Sequence, residues 1–244
     1  RVTAWLVPTM VAGYLLLTLV VLISHAEQVP AAFALIFRDA FSGNAVAGGV
    51  LGTVIITGIR RAAFSNEAGI GTEAMAHGAA RTREPIREGM VAMLGPVIDT
   101  LIVCTCTALV ILISGVWQNG DHDGVTLTAN AFALLFPTGG AVLLAILVSL
   151  LSLSTVFTFW YYGSKCLGFL IGARYQHHYV WFYMLLVVLG AVSSMNMVIS
   201  LIDAMYALMA IPTMTAALLL APKVNAAARR YLSVIPGARE MSGP

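Results

Sequence analysis

The sequence contains few charged residues: Asp, Glu, Lys and Arg make up 10% of its 244 residues, whereas 59% are hydrophobic and the mean hydropathy is +0.90. A soluble domain carries about 25% charged residues, so this chain has too few to cover a surface that faces water. The formal net charge of only +2 also argues against a nucleic-acid partner. The composition therefore predicts an all-α integral membrane protein.

Groups that could carry out catalysis are scarce as well. The three cysteines have neither the spacing of a zinc site nor that of a disulfide framework. The long apolar runs contain no histidine and no paired His–Glu motif, which a membrane-embedded enzyme would need as metal ligands or as a base. Repeated pore-lining polar residues, which a channel would favour, are also missing from the sequence. We therefore expect neither an enzyme nor a channel, and no cofactor.

Six stretches of low charge approach the roughly 20 apolar residues that a transmembrane helix needs. They predict spans over residues 2–24, 41–59, 90–115, 141–161, 179–194 and 200–220, followed by a tail over residues 221–244. The uncharged region that begins at residue 124 is long enough to hold a re-entrant or surface segment before the fourth span. Pro137, Gly139 and Gly140 separate that segment from the span.

The basic residues are distributed unevenly between the loops. Twelve of the 13 lie at alternate ends of the predicted spans, whereas the other loops carry mainly Asp and Glu, with Arg38 as their only cation. Because Lys and Arg favour the cytoplasmic side of a membrane, we predict that both ends of the chain are cytoplasmic. The sequence begins with Arg1 rather than Met, and we expect an N-terminal part of the protein to precede it.

Two adjacent glycines, Gly48 and Gly49, lie in the middle of the second predicted span. Small residues of this kind allow transmembrane helices to pack closely against one another. Alternatively, they break the helix and expose its N–H and C=O groups to a polar ligand at mid-membrane depth. The residues by themselves leave both interpretations open.

The fourth predicted span carries two adjacent hydroxyl residues, Ser154 and Thr155. Hydroxyls in membrane helices usually bond to their own backbone, but they can also supply oxygen ligands to a hard cation such as sodium. Phe159 lies one helical turn beyond Thr155 and therefore shares its face of the helix.

Two carboxylates, Asp99 and Asp203, lie within the third and sixth predicted spans. Ionisable residues inside a membrane are costly and are functional candidates for that reason. Both of these lie near the ends of their spans, where water can reach them, so a structural role is equally open.

Several blocks along the chain resemble the sodium:alanine symporter family, also called the alanine or glycine:cation symporters. The most recognisable block is Phe64–Gly69, which Arg60 and Arg61 precede, and within it Asn66 and Glu67 are functional candidates. Further blocks follow in the family's order and spacing, namely Gly95–Leu109, Ser154–Thr155, Tyr161–Gly163 and Leu208–Pro212. The resemblance extends from about residue 31 to residue 220.

The resemblance implies a leucine-transporter-like fold, in which two inverted five-helix repeats hold substrate and sodium at two broken helices. This chain would supply about six transmembrane helices, the last helix of the first repeat and the whole second repeat. Gly48 and Gly49 would then lie at the helix break beside the substrate. Ser154 and Thr155 would bind sodium, and Thr155 and Phe159 would line the substrate pocket. Because the family commonly has Trp at the position of Phe159, we expect this pocket to take cargo somewhat larger than alanine.

The resemblance thus implies sodium-coupled symport of a small neutral amino acid, alanine or glycine, across a bacterial inner membrane by alternating access. The expected partners are sodium, the amino acid, the lipid bilayer and the N-terminal half of the same transporter. The alternative is a transporter of the same fold that carries a different small amino acid or uses a different coupling cation.

Overall fold

A computed structural model of the chain describes residues 2–40, 50–67, 69–119 and 124–234. Every regular element within these ranges is helical, and none of the described residues forms a β-strand, which confirms the predicted all-α class. Gly48 and Gly49, at the predicted helix break, lie outside the described residues, as does the end of the chain beyond residue 234.

Ten α-helices account for most of the described residues. They are α1 (Val2–Ser24), α2 (Val29–Ala40), α3 (Val50–Asn66), α4 (Thr72–His77), α5 (Pro85–Ala92), α6 (Thr105–Ser114), α7 (Gly124–Leu135), α8 (Gly140–Ile171), α9 (Tyr179–Val192) and α10 (Met195–Val234). A helical turn over Leu94–Pro96 and a π-helix over Val97–Cys104 connect α5 to α6. Three short 3₁₀ segments, Ala26–Gln28, Val116–Asn119 and Ala173–His178, lie in other connections.

Four of the described helical segments are long and apolar enough to cross a membrane. They cover Trp5–Ser24, Pro85–Ser114, Gly140–Ile171 and Met195–Ser233, and each overlaps one of the six predicted spans. The predicted span over residues 41–59 is described only from Val50 onward. The predicted span over residues 179–194 corresponds to α9, which has 14 residues. Six membrane crossings therefore stay a prediction.

Two helices continue past the ends that were predicted from charge. Helix α8 runs to Ile171, so Lys165 and Cys166 lie on the helix and not in a loop. No Pro interrupts this segment, and the residue after the helix is Gly172, whose φ of 101° few other residues adopt. Helix α10 continues to Val234, so most of the predicted tail is helical, as its many alanines favour. Charge marks where a chain leaves the membrane, which need not be where its helix ends.

The chain divides into two compact units, and the first comprises residues 1–58 and 98–179. Its core consists of apolar side chains from four helices: Leu17 and Val21 of α1, Val110 of α6, Ala131 and Phe132 of α7, and Leu144 of α8. Around this core, Tyr14 of α1 forms a hydrogen bond with Thr107 of α6. Helix α1 also approaches α8 closely, since a Cβ on Gly13 would lie 3.3 Å from Leu147 Cδ2.

The second unit comprises residues 59–97 and 180–244. Within it, α5 contacts both α4 and α10. The chain between α3 and α4 is buried at Ile70, which is 4% exposed. This segment lies against Met214 and Thr213 of α10. The segment is therefore a packed part of the unit, in keeping with its many small residues.

The core of the first unit gives a test of its packing. Phe132 is fully buried, whereas Phe169 of α8 is 90% exposed. We expect Phe132→Ala to cost about 3–5 kcal/mol, because the cavity deprives its neighbours of contacts that lipid cannot replace. Thermal unfolding of the purified protein in detergent measures this loss. Phe169→Ala is the matched control and should leave the midpoint nearly unchanged; equal shifts for the two variants would contradict the packing described here.

Candidate functional site

The two hydroxyl residues predicted to bind sodium lie near the middle of α8. Ser154 Oγ donates a hydrogen bond to the Leu151 carbonyl oxygen at 2.8 Å, and Thr155 Oγ1 donates to the same oxygen at 3.0 Å. Ser154 is 4% exposed, whereas Thr155 is exposed. Because each hydroxyl gives its hydrogen to the backbone, its oxygen lone pairs stay directed away from that bond and can accept a hydrogen bond from water or coordinate a cation.

A third hydroxyl extends this polar strip by one turn. Thr158 Oγ1 donates to the Ser154 carbonyl oxygen at 2.9 Å. The backbone bonding that the sequence favoured for such residues is thus the arrangement in the structure. It orients the hydroxyl oxygens without using their lone pairs, so the arrangement also suits a hard cation, which prefers oxygen ligands.

Phe159 lies one turn beyond Thr155 at the edge of an aromatic cluster. Its ring centroid is 5.9 Å from that of Tyr162, which in turn is 6.0 Å from the ring of Tyr161. Both pairs have the edge-to-face geometry that aromatic rings prefer. Tyr162 is buried and Phe159 is half-buried, so these contacts fix one side of the Phe159 ring and leave part of it accessible beside Thr155.

The residues Asn66 and Glu67 lie where α3 ends. Asn66 Nδ2 donates to the Ala62 carbonyl oxygen at 3.1 Å, while Glu67 has a left-handed backbone with φ of 53°. The ring of Phe64 lies 5.8 Å from that of Tyr206 on α10. Tyr206 therefore belongs with the block that the sequence identified, although nothing local in the sequence connects the two.

Asp99 and Asp203, the two carboxylates within predicted spans, belong to different elements and different units. Asp99 is half-buried on the π-helix over Val97–Cys104, in the first unit, and Asp203 is half-buried on α10, in the second. A π-helix is rare and is frequently found at functional positions. No group of three or more His, Cys, Asp or Glu side chains that could hold a metal ion occurs among the described residues.

One hydrogen-bonded pair of side chains has no signal in the sequence. His77 Nδ1 and Glu88 Oε1 are 2.8 Å apart and connect α4 to α5. These residues are 11 positions apart, across a change of direction of the chain. Only the tertiary structure brings these two side chains together. They lie on different helices, so the periodicity of a single helix or strand does not relate them.

Comparison with known proteins identifies what these features resemble. The family model described as the sodium:alanine symporter family matches residues 1–240. The sodium/alanine symporter AgcS of Methanococcus maripaludis is 38% identical over 223 residues, which cover 90% of this chain and 49% of the relative. The uncharacterized transporter YflA of Bacillus subtilis is 35% identical over 93% of this chain and 49% of its own length.

A third relative differs in its stated cargo. The probable sodium/glutamine symporter GlnT of Bacillus subtilis is 33% identical over 86% of this chain and 44% of its own length. The chain spans about half the length of the curated relatives it matches. The resemblance read from the sequence is thereby confirmed, and these relatives are named as transporters and not as enzymes.

Proposed function

This chain belongs to the sodium:alanine symporter family, and on that premise we propose that its protein carries a small neutral amino acid across the membrane together with sodium. The observation that carries the proposal is the hydroxyl strip of α8, within a chain that the family model matches almost from end to end. The four long apolar helices suit a multi-pass transporter.

Sodium is the coupling ion for which the hydroxyl strip of Ser154, Thr155 and Thr158 is chemically suited. Thr155 is exposed, so its oxygen can reach an ion without displacing packed side chains. Ser154 is buried beside it and donates to the same carbonyl oxygen, which keeps the two side chains of this turn in fixed rotamers. We assign Thr155 and Ser154 as sodium ligands, with the remaining oxygens supplied from elsewhere in the protein.

Alanine or glycine is the amino acid that the family name favours, and Phe159 is the residue of this chain that we assign to the pocket wall. Phe has a smaller ring system than Trp and so leaves more room one turn from Thr155. The relative named as a probable sodium/glutamine symporter supports the alternative, a different small amino acid carried by the same architecture.

For the whole protein we propose a leucine-transporter-like fold in a bacterial inner membrane, with six spans in this chain and both of its ends in the cytoplasm. In such a fold one bundle moves against another around a midplane site. Gly48 and Gly49 would form the broken helix beside the substrate, and Asn66, Glu67, Asp99 and Asp203 stay functional candidates. Uptake of labelled alanine by proteoliposomes that hold the full-length protein, with and without a sodium gradient, tests the proposal directly. Equal rates of alanine uptake with and without the sodium gradient would contradict sodium coupling.

The first prediction concerns the sodium ligand. We expect Thr155→Val to raise the sodium concentration for half-maximal alanine uptake by about tenfold, because an ion that loses one oxygen ligand is undercoordinated. Expression and folding should not change. Thr215→Val is the matched control, since Thr215 is an exposed threonine of α10 with the same bond to the backbone, to Ile211 at 2.8 Å. Equal sodium dependence of both variants would remove Thr155 from the site.

The second prediction concerns cargo size. We expect Phe159→Trp to narrow the range of competing amino acids toward glycine and alanine, because the larger indole fills space beside Thr155. Competition of unlabelled amino acids against labelled alanine uptake provides the measurement. Phe157→Trp is the control, because Phe157 is exposed on the same helix and is two residues away, on the other side. An unchanged order of competitors for Phe159→Trp would show that this ring does not line the pocket.

The third prediction concerns topology. In a background without Cys104, Cys106 and Cys166, a cysteine in place of Arg83 should resist an impermeant thiol reagent applied to intact cells, because the arginine-rich loop is cytoplasmic. Arg83 is exposed, so its side chain is accessible once the cells are opened. Gln28→Cys in the same background is the positive control, since it is exposed in the loop predicted to lie outside. Rapid labelling of the Arg83 position from outside would overturn the topology.

A further inference from the structure

The connection between α3 and α4 is fastened to α10 by close contacts. We call Glu67, Gly69, Ile70 and Gly71, with Thr72 at the start of α4, the docking loop. A Cβ on Gly69 would lie 3.3 Å from Met214 Sδ, and one on Gly71 would lie 3.0 Å from Thr213 Oγ1. The two glycines have φ of +81° and +95°, which other residues resist. The backbone conformation therefore favours glycine at both positions, and a side chain there would also crowd Met214 or Thr213.

The docked arrangement also carries two energetic costs. Glu67 adopts φ of 53°, a left-handed conformation that is uncommon and unfavourable for a residue with a side chain. Thr72 is 3% exposed, and its hydroxyl has no hydrogen-bond partner, which costs the hydration that it has lost. Both costs disappear if the loop leaves α10, because Glu67 can then relax and the Thr72 hydroxyl can bind water. The close contacts of the two glycines with α10 and the burial of Ile70 oppose that release, so the docked and released states compete.

The part of α10 that the docking loop contacts lies next to a proline, Pro212. Pro212 lies inside this 40-residue helix; it has no N–H to donate to the carbonyl one turn back, and its ring crowds that carbonyl. Helices bend at such positions. Phe64, at the end of α3, contacts Tyr206 before the proline, and the docking loop contacts Thr213 and Met214 after it. Phe64 and the docking loop therefore contact α10 on both sides of Pro212.

We propose that the docking loop is a reversible brace across the Pro212 hinge of α10, and that its release is a step of the transport cycle. Docked, the brace holds α10 at one bend; released, it frees the helix to bend at the proline. The second half of this proposal depends on the proposed transport function, whereas the first half depends only on the contacts of the second unit. The two halves can therefore be tested separately.

The test follows the exposure of Ile70 in the full-length protein in proteoliposomes. Ile70→Cys, in a background with Cys104, Cys106 and Cys166 replaced by serine, is labelled by a small maleimide only when the loop is released, because position 70 is buried when docked. Gly71→Ala should accelerate labelling by roughly tenfold or more, since it strains the docked backbone and crowds Thr213. Thr72→Val should slow labelling several-fold, because it removes the unpaired hydroxyl and keeps the shape. Gly89→Ala is the control and should not change the rate, since a Cβ there meets no atom within 4 Å.

The outcomes separate the two halves of the proposal. Equal labelling rates for Gly71→Ala, Thr72→Val and Gly89→Ala would overturn the brace. If Gly71→Ala does not fold, Thr72→Val decides alone, because its effect is in the opposite direction. A labelling rate that changes when sodium and alanine are added supports a role of the brace in the transport cycle. A rate that is the same with and without them would show that the brace does not move in the cycle and would overturn that role. Failure of sodium-driven uptake, with the variant rates as expected, would reject the proposed transport function and leave the brace standing.

Discussion

The need to satisfy backbone polar groups without water determines most of this structure. A membrane interior offers no hydrogen-bond partners, so each N–H and C=O must pair within the protein, and in this chain helices perform that pairing. The same constraint acts on side chains: Ser149, Ser152, Thr155 and Thr158 each donate to the carbonyl one turn back along α8. A hydroxyl so bonded adds no unpaired hydrogen to an apolar helix, yet its oxygen can still bind a ligand.

The places where this pairing is interrupted are correspondingly informative. Among them are the π-helix with Asp99, Pro212 within α10, the left-handed residues before α4 and the unpaired hydroxyl of Thr72. Each of these four features costs energy, and each lies within or beside a block by which the sequence resembles its family. Interrupted pairing allows local movement at low cost, because fewer bonds must break. A transporter that alternates access needs such positions, whereas its ion site needs the opposite, a rigid support.

The sequence predicted those parts of the structure that depend on local chemistry. Helix α1 over residues 2–24 follows from an uncharged run, and the start of α8 at Gly140 follows from the Pro137 and Gly139 punctuation. The family followed from blocks read in order. The docking of Gly69 and Gly71 on α10 could not be predicted, because it joins residues more than 140 positions apart through shape alone. The pairing of His77 with Glu88 had no periodic signal either. In the candidate site, the hydroxyls of α8 could be singled out from the sequence, whereas the contact of Tyr206 with Phe64 could not, because the two residues lie far apart in the chain.

The two units differ in a way that fits the functions proposed for them. Helix α8 is uninterrupted over 32 residues and packs into the core of the first unit through Leu144, so Ser154 and Thr155 sit on a rigid support. A sodium site benefits from such rigidity, because an ion discriminates between sites by how well fixed oxygens match its size. In the second unit, α10 contains Pro212 and contacts the docking loop. Close contacts stabilise that loop on α10, whereas the unpaired Thr72 hydroxyl destabilises it there. The proposed ion site requires a rigid helix, whereas the proposed hinge requires a helix that can exchange between a docked and a released state. A single helix would meet both requirements poorly. If the proposed sodium ligands of α8 and the proposed hinge of α10 are both correct, each requirement is met by a separate helix.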